Sequence, residues 1–341
     1  MKSIGGNAIV MKEVNINLVR KVLKAEGEAT KQQIARATGL SAVTVGTILQ
    51  QLLQTSEVKE AALCSSGGGR PAQRFKYNGD YAYALTLFPY EVAGRIIIRS
   101  TIVNLVGNMI YERMDEVEHV DLACFEHIID SLMASYPAIR AIGFGLPGAE
   151  WQGKIIVSDY KALVGVSIVD YFRERYGMPV IMENDVNAAV VGYCERNHIR
   201  SGADVVYLYF PDRFPPGAGI LINGQLFKGR RNFAGEIAKI PLGISWGEAT
   251  FMASSVQVEQ AIVQLIVSIC AVLNPDCVVL HGSFIEQANG RRIAELCSLE
   301  LPVSAVPEVI VSEDFSADYL EGMVAQTLAT LEPSIVLSRN E

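Results

Sequence analysis

Histidine and cysteine are sparse and scattered in this chain. Its four histidines and six cysteines, the latter at 64, 124, 194, 270, 277 and 297, form no Cys-x-x-Cys pair and no Cys/His cluster of metal-site spacing. No metal site and no cofactor is therefore expected, and cysteines set in apolar surroundings read as reduced core thiols. Long hydrophobic runs are also missing. The strongest, Ala261 to Leu273, is short and interrupted by Gln264, so no membrane span is expected. A lone Lys2, with no apolar core of secretory length before Lys12, gives no export signal, and the expected location is the cytoplasm. Charge is absent locally as well, since Ala37 through Ser56 holds no ionisable side chain.

That uncharged stretch lies inside the most informative segment, Ala29 to Leu53. Gly39 supplies a permissive turn, Ser41 a cap for the following helix, and Ala35 a small residue for close helix packing. Val45, Ile48, Leu49, Leu52 and Leu53 recur at helical spacing and predict one buried stripe. The other face carries Ala42, Thr44, Thr47, Gln50 and Gln51, short polar or methyl-bearing groups suited to base edges in a major groove. Two ordinary bundle helices would share this periodicity. Strand-like runs from Glu57 to Leu63 and from Ala72 to Tyr77, flanking the tip Ser65-Ser66-Gly67-Gly68-Gly69-Arg70-Pro71, favour a winged helix-turn-helix. The expected DNA-contacting residues are Lys31, Gln32, Ser41, Ala42, Thr44, Thr47, Arg70 and Arg74. With no cation on the second helix, phosphate contacts fall to Lys12, Lys21, Lys24, Lys31, Arg36, Arg70 and Arg74.

Charge separates this head from the rest. Residues 1–80 carry 11 Lys or Arg against 6 Asp or Glu, a net of +5, whereas residues 81–341 carry 18 against 31, a net of −13. An acidic body is a poor partner for nucleic acid. At 341 residues three units are expected: a head at 1–80 and lobes at 81–200 and 201–341.

Beyond Asp80 strands alternate with helices. Ala82 to Phe88, Arg95 to Asn104 and Gly107 to Tyr111 read as an antiparallel start. A helix near Leu122 to Ser135, the strand Ala141 to Phe144, the loop Gly145-Leu146-Pro147-Gly148, a helix near Val169 to Tyr176 and the strand Val180 to Met182 follow. Val205 to Tyr209, Gly219 to Ile222, Gln225 to Phe227, helices after Ala249 and the strand Cys277 to Leu280 repeat the pattern. The fold class expected is α/β, with two actin-like ATPase (sugar-kinase) lobes closing on a ligand behind the winged helix.

Four motifs in this order carry a family resemblance: Asn15 through Leu53 with the tip at Gly67 to Pro71, Gly143-Phe144-Gly145-Leu146-Pro147-Gly148, Glu183-Asn184-Asp185-Val186-Asn187-Ala188-Ala189, and Ala234-Gly235-Glu236. Over nearly its whole length the chain resembles the ROK proteins (repressors, open reading frames and sugar kinases), and among them the transcriptional regulators. The resemblance implies that Asp185 matches the base of the kinases. It implies phosphate hairpins at Leu87 to Val92 and at Arg213 to Gly219, where this chain has Pro89, two aromatics, Pro215 and Pro216 in place of glycines. The family's zinc-binding histidine is Lys239 here, and its cysteine loop is replaced by Pro241 to Gly247, which Trp246 packing is expected to shape.

The effector-binding residues implied are Gly148, Glu183, Asn184, Asp185, Glu236 and Lys239. Asn184 and Asp185 serve equally as a cap for the helix near Val186, and Lys239 either favours an anionic sugar derivative or pairs with Glu236. Gly282 matches an adenosine-side glycine or a simple strand-to-helix turn. Three readings are carried forward: a sugar-responsive, DNA-binding homodimer or higher oligomer without catalytic residues, a sugar kinase using Asp185, and a scaffold that binds DNA or protein without a ligand.

Overall fold

The computed structural model describes residues 4–63, 71–92, 94–158, 160–212, 214–246, 248 and 254–332. Its head begins with α1 (Ile4–Glu26), a helix the sequence reading did not anticipate; Ile16, Val19 and Leu23 bury one side of it. Then come β1 (Glu28–Thr30), α2 (Lys31–Thr38), α3 (Ala42–Gln54), β2 (Val58–Glu60) and β3 (Arg74–Tyr77). A reciprocal capping box starts α2, with the Gln33 amide N–H donating to Thr30 Oγ1 at 3.3 Å and the Thr30 N–H donating to Gln33 Oε1 at 2.8 Å. The helix stops at Gly39, whose φ of 72° is the left-handed turn expected there. Ser41 Oγ then accepts from the Thr44 N–H at 3.0 Å and opens α3. Val45, Ile48, Leu49 and Leu52 fill the head core with Ile34 and the buried side of α1. Leu53 is half-buried, a correction to the predicted stripe: it packs against this core from its edge rather than inside it.

The wing is shorter than expected. β3 pairs antiparallel with β2 through Val58↔Tyr77 and with β1 through Ala29↔Phe75, giving the order β1-β3-β2. The tip from Ser65 to Arg70, like Cys64, lies outside the described residues. After β3, the head is stapled to the body: the Leu105 N–H donates to the Gly79 carbonyl at 2.9 Å and Asn104 Nδ2 to Asp80 Oδ1 at 3.0 Å.

The body contains two five-stranded sheets of one plan. In the first, β4 (Tyr83–Val92), β5 (Arg95–Asn104) and β6 (Met109–Val117) are antiparallel neighbours, and β7 (Ile139–Gly145) and β10 (Val180–Glu183) continue parallel on the other side of β4. In the second, β11 (Val205–Phe210), β12 (Gly217–Ile222) and β13 (Gln225–Leu226) are antiparallel, and β14 (Cys277–Gly282) and β15 (Glu308–Val311) extend β11 in parallel. The third strand of the first sheet runs to Val117 rather than ending at Tyr111, because its alternating exposed and half-buried side chains pair along the length of β5. A small hairpin, β8 (Ala149–Trp151) and β9 (Lys154–Val157), projects from the first sheet's connections.

α4 (Leu122–Ser135) and α5 (Ile168–Tyr176) cover the first sheet through Phe125, Phe144 and Phe172. α7 (Ser255–Val272) and α8 (Gln287–Glu300) cover the second. By length and composition alone α7 could cross a membrane, but its residues Val258, Ala261, Ile262, Leu265, Ile266 and Ile269 form the core of the second lobe. Trp246 packs on that core, its ring 5.6 Å from Phe210.

Between the sheets α6 (Asp185–Arg196) crosses α9 (Phe315–Ala329) at backbone distance. A Cβ on Gly192 would lie 1.9 Å from the Asp318 carbonyl oxygen, and one on Gly322 would lie 1.8 Å from that of Ala188. Only glycine at both positions permits this approach. Asp318 locks the crossing. Its fully buried carboxylate accepts from Arg196 Nη1 at 2.5 Å, Ser312 Oγ at 2.5 Å and the Tyr207 hydroxyl at 3.1 Å, joining α6, β11 and the end of β15 to α9.

Candidate nucleic-acid interface and effector cleft

On the head, α3 presents Ser41, Ala42, Val43, Thr47 and Gln50 to solvent. Val43 is 80% exposed, an apolar methyl pair that reading the helix by polarity missed. Thr47 Oγ1 donates to the Val43 carbonyl at 3.2 Å. Thr44 is half-buried and its hydroxyl lies 2.9 Å from Ser41 Oγ; both groups are engaged at the helix start. Lys31 and Gln32 are exposed at the start of α2, and Lys31 lies alongside Gly46 of α3. Lys12, Lys21 and Arg36 are also exposed. Two other cations are tied inward. Arg74 is held by Glu28 at 3.6 Å, and Lys24 pairs with Glu332 at 3.0 Å. Arg70 lies outside the described residues.

Between the lobes is a cleft of about 850 Å³. β10 ends in Glu183, and Asn184 caps α6 by accepting from the Val186 and Asn187 N–H groups at 3.0 and 3.3 Å. The Asn184 amide donates to the Gly148 carbonyl at 3.2 Å, which fixes the loop after β7 against the helix start. Glu183 is buried. It accepts from the Asn184 N–H at 3.0 Å and the Asn187 amide at 3.2 Å, and meets Lys228 Nζ at 2.6 Å. Lys228 reaches it from the second lobe, a pairing that no local pattern marks.

Asp185 lines the cleft from the first turn of α6, where the helix dipole favours its charge. Of the six expected effector residues, Gly148, Glu183 and Asn184 hold one another, while Asp185, Glu236 and Lys239 face the space. Glu236 and Lys239 are exposed and form no ion pair with each other. The carboxylates on the cleft wall are Glu91, Glu150, Glu183, Asp185 and Glu236, against the ammonium groups of Lys228 and Lys239, so the balance among the described residues is acidic.

The segment Leu87 to Val92 is continuous strand, paired residue by residue with β5. Phe88 is buried against Tyr319, their centroids 4.6 Å apart, and Pro89, Tyr90, Pro215 and Pro216 line the same cleft. Gly235, at φ 100°, accepts from the Ala218 N–H at 2.8 Å; a Cβ there would lie 2.1 Å from the Ala218 oxygen. Gly282 ends β14 close to Phe210 and serves strand packing. Tyr209 is pushed up to about 12, first by burial and then by the charges of Asp185 and Asp212. The Tyr319 hydroxyl is also raised well above its ordinary value, again by burial first and Asp185 next. At the rim, the Asn232 amide donates to the Glu150 carbonyl at 2.8 Å and the Arg231 guanidinium sits 5.1 Å from the Trp151 ring, so the second lobe touches the β8–β9 hairpin of the first.

A winged helix-turn-helix head on two lobes of the same strand plan, with a polar cleft between them, defines the class of this molecule: an actin-like body carrying a helix-turn-helix head. Residues 94–254, a little under half of the chain, match the ROK family. It is 25% identical over 243 residues to the xylose repressor of Caldicellulosiruptor bescii, covering 68% of this chain and 59% of that protein. It is 24% identical over 279 residues to the DNA-binding transcriptional dual regulator NagC of Escherichia coli, covering 76% and 67%. The match thus spans about three fifths of the xylose repressor's length. In structure it is similar to a ROK family transcriptional regulator described as a homologue of the E. coli MLC protein, with a TM-score of 0.70 at 16% identity over 94% of this chain and 97% of that one. This likeness establishes the fold over head and body together.

Proposed function

We propose that this chain is a sugar-responsive transcriptional repressor that acts in the cytoplasm as a homodimer. The observation carrying the reading is the pairing of an exposed, uncharged α3 face with a polar interlobe cleft in one polypeptide. Ala42, Val43 and Thr47 read base edges, while Lys31, Gln32, Ser41, Thr44 and Arg70 position the head on the duplex, and Arg74, held by Glu28, braces the wing instead. One such head covers few base pairs, so two related by a two-fold axis supply a full operator. The relatives' names support repression, and Asp185, Glu236 and Lys239, on the frame of Gly148, Glu183 and Asn184, take the sugar.

The body is not a kinase on this reading. Phosphoryl transfer depends on holding and neutralising the phosphates. Phe88 packed on Tyr319, with Pro89, Pro215 and Pro216 nearby, offers few backbone donors where a triphosphate would need them.

The deciding experiment is fluorescence anisotropy on DNA from upstream of the chain's own gene, at physiological salt with excess nonspecific competitor. Competitor-resistant binding that a sugar weakens is the expected result. Absence of any binding above competitor would overturn the DNA-binding reading, and sugar-dependent ADP release abolished by Asp185→Ala would overturn the assignment of a non-catalytic body.

A further inference from the structure

α3 has few groups with which to hydrogen-bond a base. No Lys, Arg, Asp or Glu occurs between Ala37 and Ser56, so the guanidinium or ammonium that commonly grips O6 and N7 of guanine is absent from this helix. Its hydroxyl protons are largely taken up within the helix. Thr47 Oγ1 donates to the Val43 carbonyl at 3.2 Å, and Ser41 Oγ and Thr44 Oγ1 share one hydrogen bond of 2.9 Å. What the start of the helix offers instead is carbon. Ala42 and Val43 are exposed, Val43 at 80%, and Val43 lies with Thr47 and Gln50 on the face opposite the buried Val45, Ile48, Leu49 and Leu52.

A single exposed valine is ordinary on a protein surface. This one has poorer helix propensity than alanine, and it stands in the first turn of the second helix of a helix-turn-helix, the turn that such heads bring against base edges. In the major groove thymine alone presents a 5-methyl group, and an apolar side chain is its natural contact. The cation bordering α3 comes from α2, since a Cβ on Gly46 would lie 3.5 Å from Lys31 Cδ and 3.9 Å from its Nζ. Lys31 opens the first helix of the motif, the one that crosses the sugar-phosphate backbone, so its charge suits a phosphate and carries no base information. Positioning and reading are thus divided between the two helices.

We propose that the head selects thymine by its 5-methyl group, through Val43 with Ala42 beside it, and that each half-site depends on such a methyl more than on any major-groove acceptor of guanine. This rests on the reading of the head as a DNA-binding module and names the base chemistry that the module selects.

The test uses the full chain and a duplex of roughly 30 base pairs, room for two half-sites one to two helical turns apart, taken from DNA upstream of its own gene at the site the chain protects from DNase I. The duplex is synthesised in three forms: native, with deoxyuridine for every thymidine, which removes the methyl groups, and with 7-deazaguanine for every guanine, which removes the N7 acceptor. In anisotropy at physiological salt with nonspecific competitor, the deoxyuridine duplex should bind at least about fivefold more weakly than the native one, the yield of one or two buried methyl groups. The 7-deazaguanine duplex should lose less. Val43→Ala leaves the core untouched and favours the helix, so its head should melt no lower than wild type in calorimetry. That variant should bind native DNA more weakly by a similar factor, and should bind native and deoxyuridine duplexes within about twofold of each other. Equal binding of those two duplexes by wild type, or a discrimination that Val43→Ala leaves intact, would overturn the inference and leave DNA binding standing. So would a larger loss with 7-deazaguanine than with deoxyuridine. If no form binds above competitor, the DNA-binding reading falls together with this one.

Discussion

Replacing Gly192 by alanine tests whether the α6–α9 crossing holds the lobes together. The added methyl would sit 1.9 Å from the Asp318 oxygen and 2.4 Å from the Gly322 nitrogen, both backbone atoms in buried helices. Relief requires the helices to part by roughly 1.5 Å, since carbon atoms attract only near 3.5–4 Å. Overpacking of this kind costs about 1–3 kcal/mol, and a clash against backbone belongs at the upper end. Alanine's better helix propensity returns about 1 kcal/mol. The net loss is about 2 kcal/mol, which lowers the body's melting transition by roughly 4–8 °C.

Gly46→Ala in α3 is the matched control. Its methyl meets only the Lys31 side chain, at 3.5 Å, so propensity alone acts and the head gains about 0.5–1 kcal/mol. Differential scanning calorimetry reads the transitions of head and body in one scan. A Gly192→Ala chain as stable as wild type would refute the close-crossing argument, and a Gly46→Ala chain less stable than wild type would refute its control.

Three other perturbations follow from the structure. Asp318→Asn keeps the shape but presents an amide N–H₂ to the Tyr207 and Ser312 donors and removes the charge facing Arg196, and should cost about 3 kcal/mol in urea unfolding; a loss below about 1 kcal/mol would show that the network is dispensable. Burial holds Cys194 and Cys277 at about 12 and Cys297 at about 11, and also raises Cys124 and Cys270, so at pH 8 these groups are protonated and poor nucleophiles. Native protein treated with a thiol-disulfide reagent at pH 8 should leave all five unreacted within minutes and label them faster as pH rises toward 11; rapid labelling of any of them, located by peptide mapping, contradicts the burial argument. Thr30→Ala removes one half of the α2 capping box and should destabilise the head by about 1 kcal/mol in the same calorimetry.

The helix-turn-helix was legible because its signals are local. Gly39 needs a left-handed φ, Ser41 caps the next three residues, and Val45 to Leu52 repeat on one helical face. The bounds of α4 and the antiparallel start of the first sheet followed from periodicity in the same way. What escaped is nonlocal. α1 reads as unremarkable until Ile16, Val19 and Leu23 meet Ile34 and Leu49. The hairpin of β8 and β9 is only three and four residues a side, too short for a period. Lys239 was visible beside a motif, but Lys228, which pairs with Glu183, lies 45 positions away and carries no local mark. Asp318, Tyr319 and Gly322 form an ordinary helical stretch in sequence; their importance comes from Arg196, Gly145 and Ala188, which the fold brings against them.

How a ligand reaches the head is a question of magnitudes. The end of α9 meets the head through Lys24 and Glu332, with side chains 27% and 52% exposed, and such a pair contributes about 0–1 kcal/mol. A tenfold change in operator affinity requires about 1.4 kcal/mol of coupling, so this ion pair alone is too weak to carry it. The stronger attachment is the junction at 79–81, where Gly79 and Asp80 are bonded to Leu105 and Asn104. A Cβ on Gly79 would come within 2.9 Å of Val106, so the junction has little room to slide independently of the β5–β6 turn. Both attachments join the head to the first sheet and to α9, and neither joins it to the second sheet. On the proposed reading, and among the described residues, a movement of the second sheet would therefore reach the head mainly by way of the α6–α9 crossing and the Asp318 network. On the proposed reading, Glu332→Ala should alter the sugar's effect on operator affinity by less than about threefold, whereas Gly192→Ala should largely uncouple sugar from DNA even where both still bind.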